Sequence, residues 1–193
     1  MKITRTAISE VVVVEPVIFS DDRGWFMESF NELAFHKGLV DAGLPIPKPF
    51  VQSNHSSSKK NVLRGLHYQL PPHAQGKLVR VVKGAVFDVA VDIRHSSESF
   101  GNWVGVELSA INKKMLWIPE GFAHGFLALE EGTEFLYETT SYYSKECERA
   151  IRWDDAELNI NWPVLDRASL IVSLKDREAL RLKQVSTADL FSV

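Results

Sequence analysis

The chain has 193 residues, 45% of them hydrophobic and 24% charged, and a formal net charge of -3. That is enough chain for one well-filled core, without a disorder signature, and a single domain over residues 1–193 is expected. The charge excludes a global basic field of the kind that holds nucleic acid or an anionic membrane surface, so any anion site must be local.

The opening MKITRTAISE has no apolar signal core, and the β-branched run 11–14 is far too short to span a bilayer, so a soluble, cytoplasmic protein with no membrane partner is expected. That run reads as a strand stopped by Glu15-Pro16, and residues 23–30, after an Asp21-Asp22 turn, read as a second. Asn31 is placed to cap a brief helix over 32–37 that ends near Gly38. The stretch 43–49, GLPIPKP, is loop or polyproline-like, since its prolines cannot donate to a ladder.

From residue 50 the pattern becomes strands separated by turns, at 50–55, 62–69, 77–82, 85–93, 103–109, 114–118, 125–129 and 134–142. So many short strands in succession define an all-β sandwich or barrel. Residues 85–93 alternate with period two, and one face is expected in a core while the other carries Asp88 and Asp92. Cys147, the single cysteine, excludes an internal disulfide and fits a reducing compartment; Glu146 and Glu148 beside it oppose a catalytic thiolate. The tail offers a strand-like 170–172 and a short amphipathic helix over about 177–183.

The stretch 61–80, NVLRGLHYQLPPHAQGKLVR, carries the chemistry most directly. Abstracting a proton next to a carbonyl takes a base that titrates near the working pH, an orienting partner for it, a donor for the enolate and an acid. His67 is the candidate base, with Arg64 and Lys77 nearby in sequence to bind an anionic substrate; the plainer alternative is a hydrogen-bonded surface histidine. On a regular strand Arg64 and His67 point to opposite faces, but Gly65 lies between them. A bulge at Gly65 is therefore expected, turning both side chains into one pocket.

Residues 117–126, WIPEGFAHGF, form a turn that delivers His124 to the start of a strand. Metal-binding cupins use a similar turn, but their earlier strand adds a His-x-His pair and a glutamate, whereas here Gly65 stands where the first of that pair would be expected. Two scattered histidines would leave a metal under-coordinated, and no metal is expected. Tyr137 reads on its own as an ordinary strand aromatic, and Tyr142 and Tyr143 as packing residues or a flat surface for a nucleobase. Arg23 and Glu28 read as a solvated charged strand. Asp176, Asp88 and Asp92 are rival orienters for His67, and spacing does not choose among them.

Six stretches, 19–28 (FSDDRGWFME), 50–69 (FVQSNHSSSKKNVLRGLHYQ), 75–94, 116–126, 134–143 and 173–176, together resemble the dTDP-4-dehydrorhamnose 3,5-epimerase (RmlC) family. The resemblance covers most of the chain. It implies a cupin-type jelly-roll β-sandwich with a few short peripheral helices, a homodimer, and a reaction that uses no metal or organic cofactor. It implies a dTDP-4-keto-6-deoxy sugar as substrate, dTDP-4-dehydro-6-deoxy-glucose, whose 4-ketone acidifies the hydrogens at C3 and C5. Carried onto this sequence, His67 is the base paired with Asp176, Tyr137 is the acid on the opposite face, and Lys77 stabilises the enolate with His124 nearby. Arg23, Glu28, Gln52, Ser53, Asn54, Arg64, Glu148 and Lys175 bind the sugar nucleotide, and Phe19 or Tyr143 sandwiches the thymine. Relatives that keep the same His and Tyr yet invert only C3 or C5 make a single-position epimerase the nearest rival reading. A non-catalytic nucleotide-sugar binder and a metal-dependent dioxygenase are the rivals of a different class.

Overall fold

The computed structural model describes residues 1–164 and 166–192. Its strands and helices are, in chain order, β1 (Lys2–Arg5), β2 (Val12–Glu15), β3 (Ile18–Asp21), β4 (Gly24–Met27), α1 (Glu32–Asp41), β5 (Gln52–Ser58), β6 (Val62–Gln69) and β7 (Lys77–Lys83). There follow β8 (Ala85–Asp92), β9 (Trp103–Ser109), β10 (Met115–Ile118), β11 (Phe122–Ala128), β12 (Thr133–Thr139), β13 (Glu148–Ala150), β14 (Ile171–Val172) and α2 (Leu174–Glu178). One sheet runs β1-β2-β10-β7-β12-β5 and the other β13-β6-β11-β8-β9, with β14 parallel to β6 on its flank. This is the sandwich that the strand pattern predicts, in the cupin-type jelly-roll form that the family resemblance implies.

Three apolar layers hold it together. Between the sheets, Val79, Val81, Leu116, Ile118 and Phe135 from the first meet Val86, Ala90, Val104, Leu108, Phe122 and Phe126 from the second. Outside the second sheet, Leu63, Leu66, Val89, Val91 and Leu127 pack under Ile151, Leu158, Ile160, Trp162, Leu170 and Leu182 of the tail. Outside the first sheet, Phe35 and Leu39 of α1 lie on Val12, Val14, Leu78, Met115 and Trp117. Burying one such side chain stabilises the fold by about 1.5–3 kcal/mol.

One face of β8 is expected in a core, and both are buried: Phe87, Val89 and Val91 lie under the tail, while Asp88 and Asp92, both fully buried, share the other side with Val86 and Ala90. The strand expected over 23–30 is instead a β3–β4 hairpin, turned at Asp21, whose carboxylate accepts from the Arg23 N–H at 2.9 Å. Helix α1 starts where expected, with the Asn31 side chain accepting from the Ala34 N–H, but runs on through Gly38. Gly38 is there for contact, since a Cβ would lie 2.9 Å from Ile3 Cδ1. The chain leaves the helix at Gly43, whose φ of +71° suits the left-handed turn that closes it. The helix expected over 177–183 is displaced toward the N-terminus: α2 begins after Ser173, whose side chain accepts from the Asp176 N–H, while 182–184 form only a 3-10 turn. Among the described residues no helix is long and apolar enough to cross a membrane.

Candidate active site

The expected distortion at Gly65 is present and shapes the site. His67 pairs with His124 and Arg64 with Phe126, so three steps along β6 match two along β11. Gly65 has φ +128°, and a Cβ on it would lie 2.5 Å from Gly125 Cα. The two glycines let the strands meet backbone to backbone, and the extra residue turns Arg64 and His67 into the same cleft of about 620 Å³.

The cleft lies between the sheets. His67 and His124 come from the second sheet; Lys77, Tyr137, Gln52 and Asn54 come from the first. Asp176 and Lys175 of α2, Glu148 of β13 and Tyr143 of the β12–β13 connection complete its rim, and Arg64 lines it too. The His67 Nε2 lies 2.6 Å from Asp176 Oδ1. Burial alone would raise the Asp176 carboxyl, but hydrogen bonds from His67, Ser173 and the Gly65 N–H hold it below the usual range. A carboxylate so placed fixes the imidazole tautomer and leaves Nδ1 as the nitrogen able to take a proton.

The other rival carboxylates have other partners. Asp88 sits 3.0 Å from the His124 Nε2 through both its oxygens, and Asp92 accepts from Arg94, Ser97 and Ser99. Complete burial raises the Asp88 carboxyl and lowers the His124 imidazole, drawing both toward neutrality. Lys77, also buried, reaches from the first sheet to 3.3 Å from the His67 carbonyl oxygen. Burial pulls its ammonium down to about 8, against the attraction of Asp88 and Glu148.

Tyr137 shares a face of β12 with Phe135, its ring 5.9 Å from that of Phe135, and its hydroxyl is pushed up by burial. Glu148 binds Lys175 at 2.6 Å and accepts from the Tyr143 hydroxyl at 3.0 Å. The Arg64 guanidinium donates to Ser58 Oγ at 3.2 Å. Among the described residues no group of three or more His, Cys, Asp or Glu is placed to hold a metal ion.

Four residues carried over by resemblance do not line this cleft. Ser53 lies between Gln52 and Asn54 and so points to the other side of β5, donating to Glu138 at 3.0 Å. Phe19 and Arg23 project from the exposed β3–β4 hairpin, where Arg23 pairs with Asp21, and Glu28 accepts from Asn31. Conversely, Ser56, Gln69, Gln75 and Phe126 line the cleft and were not singled out from sequence. Strand parity alone would have exchanged Ser53 for Ser56; for the glutamines, neutral and common, residue type gave no signal.

A family model described as dTDP-4-dehydrorhamnose 3,5-epimerase matches residues 5–184. The dTDP-4-dehydrorhamnose 3,5-epimerase of Shigella flexneri is 58% identical over 164 residues, covering 85% of this chain and 88% of the relative. That of Escherichia coli K12 is 54% identical over 192 residues, covering 96% and 100%. A crystal structure of the 3,5-epimerase RmlC from Legionella pneumophila, in complex with dTDP-4-keto-L-rhamnose, superposes with a TM-score of 0.92 at 45% identity over 100% of this chain and 98% of that one.

With a cleft of acid–base groups inside a jelly roll, the molecule falls among the cupin-type isomerases. The chain belongs to the dTDP-4-dehydrorhamnose 3,5-epimerase family.

Proposed function

We propose that the chain inverts C3 and C5 of dTDP-4-dehydro-6-deoxy-D-glucose to give dTDP-4-dehydro-L-rhamnose, using only its own side chains. The observation that carries this reading is that His67 and Tyr137 stand on opposing sheets, with Lys77 reaching across beside them. His67 Nδ1 takes the proton from C3, and the C–H electron pair becomes the carbon–carbon π bond of an enolate whose charge rests on the C4 oxygen. The Lys77 ammonium stabilises that oxygen, in a setting where low dielectric strengthens the attraction. Tyr137 then protonates C3 from the other face, the C4 ketone re-forms, and proton exchange with water resets both groups. Repetition at C5 completes the double inversion.

Arg64, Gln52, Asn54, Glu148 and Lys175 are read as the sugar-nucleotide contacts, and Tyr143 as the surface for the thymine. Phe19, Arg23 and Glu28 reach a cleft only if another copy supplies them, which favours a homodimer whose β3–β4 hairpin covers its partner's site. We place the enzyme in the cytoplasm, acting as one domain.

Incubation with the 4-keto sugar nucleotide in deuterated water tests this reading. Deuterium at C3 and C5 with the L-configured product is expected. Deuterium at one carbon alone would make it a single-position epimerase, and at neither a binder.

A further inference from the structure

Residues 141–144, which carry Tyr143 to the rim of the cleft, lie outside every helix and strand. Their backbone is held instead by glutamine side chains. The Gln69 amide donates to the Tyr142 carbonyl at 3.1 Å while its oxygen accepts from the Ser144 N–H at 2.8 Å. The Gln52 oxygen accepts from the Tyr143 N–H at 3.0 Å, and the Gln75 amide donates to the Ser141 carbonyl at 2.8 Å. Gln69 alone grips both sides of Tyr143, and it also donates to the His73 carbonyl at 2.7 Å. It is 4% exposed, whereas Tyr143 is 56% exposed, its hydroxyl bonded to Glu148. The ring is thus aimed largely by its backbone, and its backbone by Gln69.

We propose that Gln69 is a positioning residue that presents Tyr143 to the base of the nucleoside diphosphate, and so sets nucleotide affinity apart from the proton transfers. The inference rests on the reading of Tyr143 as the thymine surface. Gln69 lies on β6 two residues beyond His67, so one strand carries the candidate base and the clamp for the far end of the ligand. A carbonyl and an N–H flanking one residue are met by a side-chain amide as they would be by a neighbouring peptide. An apolar isostere leaves the Ser144 N–H and the carbonyls of Tyr142 and His73 without that partner, and the loop loses its fixed path.

The test is titration of the enzyme with dTDP by calorimetry, together with kcat and KM on the 4-keto sugar nucleotide, for the parent, Y143A and Q69L. Q69L and Y143A are each expected to weaken dTDP binding about tenfold, and Q69L to raise KM by a similar factor with kcat within about twofold. Parental dTDP affinity in Q69L beside weakened Y143A overturns the clamp and leaves the Tyr143 reading standing. Parental affinity in Y143A removes that reading and the inference with it. A loss of kcat in Q69L as large as the rise in KM overturns the inference, because the residue would then be acting on the strand of His67. Should Q69L fail to fold, Q69E, which keeps the acceptor for Ser144 and loses both donated bonds, is judged by the same outcomes.

Discussion

Asp176 lies 2.6 Å from the Nε2 of His67, although 109 positions separate them in the chain. The pairing makes the far nitrogen of the ring the basic one. D176N is expected to lower kcat about 10²–10⁴-fold with little change in KM, read as deuterium uptake at C3 and C5. H67N should abolish exchange at both carbons. Uptake within threefold of the parent in either variant would remove that residue from proton abstraction.

Tyr137 faces His67 from the other sheet, so the two variants should fail differently. Y137F is expected to keep part of the exchange at C3 and C5 while losing inverted product, since abstraction survives and delivery from the opposite face does not. An unaltered product ratio, measured by NMR, would count against the acid role.

Lys77 ties activity to pH. With its ammonium at about 8 in the folded protein, the enolate stabilisation proposed for it requires a pH below that value, so kcat/KM should fall on an alkaline limb near 8. The linked effect on stability runs the other way. Below pH 8 the native state carries a buried charge, while between 8 and 10.5 only the unfolded chain binds that proton, so stability contributed by this group rises with pH across that window. K77M should therefore be inactive yet more stable than the parent below pH 8, by about 3 kcal/mol, with the difference shrinking toward pH 10.5. Thermal melts across that range are the check, and a K77M less stable at every pH would refute the argument.

Mixing subunits tests the role of the β3–β4 hairpin. If Arg23 serves the partner's cleft, R23A and H67N, each inactive alone, should regain roughly a quarter of parental activity after subunit exchange, because half the dimers then hold one intact site. Service within one chain gives no recovery.

Gly65 admits no side chain. G65A would set a Cβ 2.5 Å from Gly125 Cα at a φ of +128°, and should cost about 2–4 kcal/mol in denaturant titrations while misplacing His67 and Arg64.

What the sequence showed depended on the length and regularity of its signals. β6 and β9 have the bounds read from it, because turn residues flank both runs. β1, β3 and β13 escaped notice, being three or four residues long and lacking clear alternation. The tail misled because 177–183, read as one short helix, divides instead: Leu180 goes to a bridge with Ile151 and Leu182 to a 3-10 turn. Gly65 could be read in advance because a parity conflict between Arg64 and His67 demanded a bulge. The partner of His67 could not be read from spacing, which left three aspartates equivalent; the family resemblance named Asp176, and the structure gives Asp88 to His124, Asp92 to Arg94 and Asp176 to His67.

The carboxylate that orients His67 belongs to neither of the two sheets in which the cleft is formed. It arrives on α2, after β14 has laid itself along β6. The His67–Asp176 pair can thus be broken by a local lifting of this last short strand and helix while β6 keeps its pairing with β11 and β13, a smaller opening than global unfolding. Activity in mild denaturant should vanish before the sandwich melts, so that turnover reports the docking of the tail rather than the survival of the fold.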